Sequence, residues 1–238
     1  MPSDPDSPPA SKHDDVLETF DGISPTYDRI NTLMTLGRHD AWCEEVARLT
    51  HLPSRGILLD VATGTGKIAR AAHRQYPGAQ IVATDFSPGM LREAAKLPDS
   101  EDITWAAADA NALPFADDSV DAVTHGYLLR NVDDVEHVMR EQFRVLKPGG
   151  RVAILETSPP SGPLKAPVGL GMRAVIPTLG TVVAHDRASY QYLVRSTLGF
   201  QSPEQVAETL RRIGFTSVRF KRLYLRTHMI MSAQKPGH

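Results

Sequence analysis

The chain has 238 residues, 41% of them hydrophobic, enough for one substantial core with length to spare for an appended cap. A formal net charge of −2, with basic residues scattered rather than in blocks, excludes the electrostatic footprint of a nucleic-acid binder. The single cysteine, Cys43, excludes an intramolecular disulfide and any CxxC metal site; it suits a reducing cytosol, and beside Trp42 in a helical pattern it reads as a buried thiol rather than a nucleophile.

Residues 1–15 mix Pro, Ser and Asp with almost nothing apolar, which predicts a disordered tail. The start lacks the basic and apolar regions of a secretion signal, and no uninterrupted apolar span of about 18 residues occurs, so a soluble or membrane-peripheral, cytoplasmic protein is expected. From Val16 to Leu49 the pattern is helical, with Trp42, Val46 and Leu49 on one face and Pro53 as a stop. Residues 16–53 therefore form a helical cap ahead of one domain that runs to the end.

The next stretch, ILLDVATGTGKIARAA (Ile57 to Ala72), has the grammar of a buried strand, a tight turn and a crossover helix. Gly64 and Gly66 permit positive φ and remove Cβ atoms that would block a ligand, and the helix start offers unpaired N–H groups. A triphosphate loop is excluded, because Val61 stands where its first glycine belongs and Ile68 follows Lys67. Gly64, Gly66 and Ala69 satisfy GxGxxA, which leaves NAD open. S-adenosylmethionine also fits, with Asp60 placed for a ligand that carries an ammonium.

Strand-like runs follow in AQIVATDFS, closing on Asp85, in ITWAAADA, ending at Asp109, and in VDAVTHGYLL. A helix from Val135 to Leu146 then meets KPGG, and RVAILE makes a fifth strand. This alternation predicts an α/β, Rossmann-like doubly wound, mostly parallel sheet with ligands beyond the carboxyl ends of its strands. Residues 159–200 form a Pro/Gly-rich insertion. Within it, Val168 to Ala184 is apolar but too short to span a bilayer; it reads either as a lid over a lipid chain, touching the membrane surface, or as a buried helix lined by Met172, Val175, Ile176 and Leu179. Ser202, Pro203 and Gln205 predict a capped helix that Gly214 ends, and TSVRFKRLYL with HMIMSAQK predict an antiparallel pair at the sheet edge.

Asp85 lies about twenty residues beyond the glycines, where a carboxylate accepts from both ribose hydroxyls of either cofactor. Asp109 and the small Ala110 stand where an adenine edge would lie. Three acids at three successive strand ends converge on one crevice.

The segments LDVATGTG, TDFSPGML, DANALPF and RVLKPGG together resemble the class I S-adenosylmethionine-dependent methyltransferases. More narrowly, YDRINTLMTLGRHDAW (Tyr27 to Trp42), LLRNV (Leu128 to Val132) and RVLKPGGRVAILETS (Arg144 to Ser158) resemble the signature segments of the menaquinone and ubiquinone C-methyltransferase family, which includes demethylmenaquinone methyltransferase. Departures from that pattern fall at Thr63, Lys67, the YLLRN run and the closing THMIMSAQK. The resemblance implies S-adenosylmethionine as cofactor, contacted by Thr65, Asp85, Asp109, Ala110 and Gly126. It also implies methylation of a ring carbon of a reduced polyprenyl quinone such as demethylmenaquinol.

That carbon becomes nucleophilic only when a neighbouring hydroxyl, with a pKa near about 10, is ionised or its anion stabilised. Arg130 is cast as the cation facing the oxyanion, Asn131 as the group orienting the ring, and His125 as the proton acceptor or else a structural histidine; His39 and Tyr27 are weaker candidates. A soluble acceptor, a nicotinamide-dependent oxidoreductase and a non-catalytic binding protein stay open as alternatives. The same reading leaves open a homodimer and expects a small-molecule or lipid quinol partner.

Overall fold

The structure, a computed structural model, describes residues 32, 35–181 and 187–237. The expected tail, Tyr27 and most of the 16–38 stretch lie outside these residues. In chain order the elements are α1 (His39–Leu49), β1 (Ile57–Val61), α2 (Lys67–Gln75), β2 (Gln80–Asp85), α3 (Pro88–Lys96), β3 (Ile103–Ala107), β4 (Val120–Gly126), α4 (Val135–Val145), β5 (Leu146–Thr157), α5 (Lys165–Leu179), α6 (Arg187–Gly199), α7 (Pro203–Ile213), β6 (Thr216–Leu223) and β7 (His228–Gln234).

Seven strands form one sheet in the order β3-β2-β1-β4-β5-β7-β6. The first five are parallel, and β7 inserts antiparallel between β5 and β6. The strand order reverses between β1 and β4, the position where a doubly wound sheet opens a ligand crevice.

Both faces are covered, which is why the strand sequences are apolar throughout rather than alternating. Leu59, Val123, Ile154 and Met231 face a core with Val138 and Met139 of α4 and Val206 and Leu210 of α7. Leu58, Ala122, Leu155 and Ile230 face the opposite core with Trp42 and Val46 of α1 and Ile68 and Ala72 of α2. Cys43 is buried in the second core, its Sγ 3.6 Å from His39 Nε2, as its helical position predicts.

Local signals end the elements where expected. Ser202 accepts from the Gln205 amide while the Gln205 side chain accepts from the Ser202 amide, and Gly214 at φ 121° ends α7. The third strand stops earlier than the sequence suggests, at Ala107, because Asp109 enters a tight turn that bridges to Ala112. The insertion is helical, and α5 continues through Gly169, Gly171 and Pro177. It is not a buried helix: Leu170 is 70% and Val175 55% exposed. No helix among the described residues is long and apolar enough to cross a membrane.

Candidate active site

The crevice begins where β1 turns. Ala62 takes φ 51°, the Thr63 amide donates to Thr84 O, and the Gly64 amide donates to Asp85 Oδ2 at 2.8 Å. Asp85 Oδ1 accepts from the Ser87 amide at 2.9 Å, so two backbone amides orient this carboxylate at the end of β2. Asp60 lies beneath the turn, 1% exposed, accepting from the hydroxyls of Thr63 and Thr124. Burial outweighs those bonds and pushes its carboxyl up to about 6.

The two turn glycines differ in purpose. A Cβ on Gly64 would meet nothing within 4 Å, so the turn opens onto space where a ligand can approach the backbone. A Cβ on Gly66 would fall 2.4 Å from the Trp105 ring, so that glycine serves packing as well as its φ of 80°. Thr65 is buried, and its carbonyl accepts from Arg70 Nη1 at 2.6 Å. A Cβ on Gly126 would lie 3.1 Å from Ile68 Cδ1.

A small pocket of about 90 Å³ adjoins the crevice, lined by Ala62, Phe86, Asp109, Ala110, Asn131 and Val132 among others. Asp109 Oδ1 accepts from the amide and side chain of Asn111. Of the three acids at strand ends, only Asp109 lines this pocket; Asp60 and Asp85 lie at the glycine turn, whose Ala62 the pocket includes. Phe86 was not anticipated, although its place directly after Asp85 is a signal that an apolar side chain follows the acid at the end of β2.

A second, apolar cavity of about 530 Å³ lies beneath α5. Pro167, Val168, Met172, Ile176 and Leu193 form its walls, and its polar end carries Tyr127, Arg130, Thr157, Thr227 and His228. The segment after β4 is a wall common to both spaces. Tyr127 and Arg130 face the apolar cavity, whereas Leu128 and Asn131 line the cofactor-side pocket. Tyr127 sits at φ 58°, a conformation costly for an aromatic residue, and its ring stacks under the Arg130 guanidinium at 5.0 Å.

Three expectations change. His125 is not a proton acceptor at the crevice: it points to the α4 and α7 side of the sheet beside Ile154, is fully buried, and both ring nitrogens lack a hydrogen-bond partner among the described residues. Burial holds its pKa down to about 3. Arg130 does line the cavity, but it is ion-paired to buried Glu156 at 2.7 Å, so it is not a lone cation. Asn131 lines the other pocket, donating to Tyr127 O and accepting from Tyr192 of α6 at 3.0 Å. His39 is buried within the α1 packing, its ring 5.6 Å from that of Tyr127. Among the described residues no cluster of His, Cys, Asp and Glu suits a metal ion.

The sequence model of the ubiE/COQ5 methyltransferase family matches residues 9–234. This chain belongs to the ubiE/COQ5 methyltransferase family. Within it, the chain is 46% identical over 218 residues to the Ubiquinone/menaquinone biosynthesis C-methyltransferase UbiE of Desulfotalea psychrophila, covering 91% of this chain and 89% of that protein. It is 36% identical to the Demethylmenaquinone methyltransferase of Bacteroides fragilis, covering 92% and 91%. In fold it matches a chain from the complex between the Haloferax volcanii Trm112 methyltransferase activator and the putative methyltransferase, with a TM-score of 0.68 at 19% identity over 91% of this chain and 97% of that one. The fold is the class I methyltransferase fold. The ubiE/COQ5 chain is thus an S-adenosylmethionine-dependent C-methyltransferase, and the nicotinamide reading falls. The open space above Gly64, the amide-held Asp85 and the buried Asp60 suit that cofactor's amino acid and ribose.

Proposed function

We propose that this chain transfers the methyl group of S-adenosylmethionine to a ring carbon of a reduced polyprenyl quinone such as demethylmenaquinol. The apolar cavity beneath α5, with its one polar end against the wall it has in common with the cofactor crevice, carries this reading. The names of the relatives agree with it.

The cofactor supplies an electrophilic methyl on a sulfonium. This chain's residues have three tasks: to bury the isoprenoid, to place the ring against the Tyr127–Arg130 wall, and to favour the ionised ring hydroxyl. The Arg130–Glu156 pair contributes N–H donors whose charge is balanced within the protein, so the site stays stable when no anion is present. Asp60, Gly64, Thr65, Gly66, Asp85, Asp109, Ala110 and Gly126 are assigned to the cofactor side, Gly66 chiefly through the shape of the turn. Asn131 links that side to α6.

The mouth of the cavity favours a membrane surface. Leu36, Leu164, Val175 and Leu225 are exposed apolar side chains that line it, with exposed Leu170 on the same helix. Arg173, Arg187 and Arg195 line an adjoining groove between α5 and α6. A polyprenyl acceptor could pass from bilayer to cavity without crossing water.

The decisive assay incubates the chain anaerobically with labelled S-adenosylmethionine and a panel of reduced quinones and soluble phenols. Label in the tailed quinols alone is the expected result; label only in a soluble phenol, or in none, would overturn the proposal. Sedimentation with vesicles containing anionic lipid tests the surface contact, and a chain left entirely in the supernatant would remove it.

A further inference from the structure

His228 opens β7, and because β7 runs antiparallel its first residue lies at the same sheet edge as Thr157, the last residue of β5. Three aromatic rings cage the imidazole: Trp42 at 5.0 Å, Tyr127 at 6.1 Å and Tyr224 at 6.4 Å between centroids. The ring forms part of the polar end of the apolar cavity.

Its tautomer is set by the preceding residue. Thr227 Oγ1 donates to the Tyr224 carbonyl at 2.8 Å, and a hydroxyl has only one proton to give. The 3.0 Å contact between Thr227 Oγ1 and His228 Nδ1 is therefore made by Nδ1–H. Nε2 then carries the lone pair, on a ring that lines the cavity.

We propose that His228 reads the oxidation state of the acceptor ring, its Nε2 accepting a hydrogen bond from a ring hydroxyl and opposing the carbonyl of the oxidised ring. A quinol hydroxyl donates to Nε2. A quinone carbonyl can only accept, so it sets two lone pairs against each other and leaves both desolvated. Burial, then the charges of Arg130 and His39, hold the pKa of His228 down to about 3, so the ring does not become a cationic donor at physiological pH. The same value makes it a weak base; its role is selection and placement of the ring, and the reaction's proton goes elsewhere. The selectivity suits the chemistry, since only the reduced ring can be ionised to a carbon nucleophile.

This assignment rests on the quinol reading of the cavity. The test titrates 2-prenyl-1,4-naphthoquinol, kept reduced under nitrogen, and separately its quinone into the chain saturated with S-adenosylhomocysteine. The unmodified protein is expected to favour the quinol by about tenfold or more, the worth of one hydrogen bond whose loss leaves a buried partner unmet. His228→Phe should bring the ratio close to one with S-adenosylhomocysteine affinity unchanged. His228→Gln, whose amide can turn either its oxygen or its N–H toward the ring, should bind quinol and quinone alike, so the preference stays lost while affinity for the rings is retained. A quinol preference that survives in His228→Phe would overturn the proposal.

Should the phenylalanine variant not fold, the two mono-O-methyl ethers of the quinol decide the matter on the unmodified protein. Exactly one of the two should lose affinity to the level of the quinone, and equal binding of both would overturn the role of His228. If the chain binds S-adenosylhomocysteine but neither ring, the quinol reading itself fails, and the role of His228 falls with it.

Discussion

Glu156 Oε1 accepts from Arg130 Nη1 at 2.7 Å, and neither side chain is more than 4% exposed. Glu156 Oε1 also accepts from the Thr157 amide, so the carboxylate ties the end of β5 to the turn after β4. Arg130→Ala would leave this carboxylate buried and unmatched, a loss of about 3–5 kcal/mol. The double change Arg130→Met with Glu156→Gln is expected to restore most of that stability in urea unfolding while methyl transfer stays abolished. An Arg130→Ala protein as stable as the parent would contradict the pair's buried character.

With the cofactor role proposed for Asp60, cofactor affinity should depend on pH. Its folded carboxyl titrates near 6 against an ordinary 3.8, so between those values the folded chain keeps a proton that the unfolded chain has lost. Stability contributed by this group therefore falls as pH rises across that window and is flat above it, an effect of about 3 kcal/mol. His125 and His228, both held down to about 3, act in the opposite direction below their ordinary 6.5, so the difference between Asp60→Asn and parent isolates the aspartate. Affinity for S-adenosylhomocysteine, whose ammonium prefers the ionised carboxylate, is expected to rise from pH 5 to pH 7 in the parent and stay level in Asp60→Asn. Calorimetry at both pH values checks this.

The turn glycines should separate folding from binding. Gly66→Ala forces a Cβ into the Trp105 ring at φ 80° and is expected to lower the melting temperature markedly. Gly64→Ala meets open space and bears only the left-handed penalty of about 1–2 kcal/mol, but it intrudes where the ligand approaches. Its cofactor affinity should therefore fall further than its stability. Equal effects of the two substitutions on both readouts would argue against the distinction.

Asp85→Ala removes the acceptor of the Gly64 and Ser87 amides together with the proposed ribose contact. A charge-assisted bond is worth about 1.5–3 kcal/mol, so cofactor affinity should drop by about tenfold to a hundredfold or more. Unchanged affinity would remove Asp85 from the ribose.

Much of this architecture is legible in local patterns. The apolar runs, the glycine turn, the capping box at Ser202 and the KPGG stop each report short-range physics, and five parallel strands with a closing antiparallel pair follow from them. Side-chain pairing across the sheet does not. His125 and His228 both stand near strand ends, and only the face of the sheet separates a buried histidine among Ile154 and its neighbours from one at a cavity. The antiparallel pair does carry a usable signal, because it brings the first residue of the last strand to the carboxyl edge of the others. Glu156 within ILETS gives no hint that it pairs with a residue 26 positions earlier, since that contact depends on β4 and β5 being neighbours. For α5, Gly and Pro content suggests interruption, yet the helix persists and turns its apolar side chains toward the cavity and the solvent.

Methyl transfer to a tailed quinol requires the apolar cavity and the cofactor crevice to meet at the Tyr127–Asn131 wall. A crystal structure with S-adenosylhomocysteine and a prenylated naphthoquinol tests it most directly. The ring should lie beside Tyr127, Arg130 and His228, with the chain running under α5 past Met172 and Ile176. A ring bound elsewhere, with this cavity holding only solvent, would contradict it.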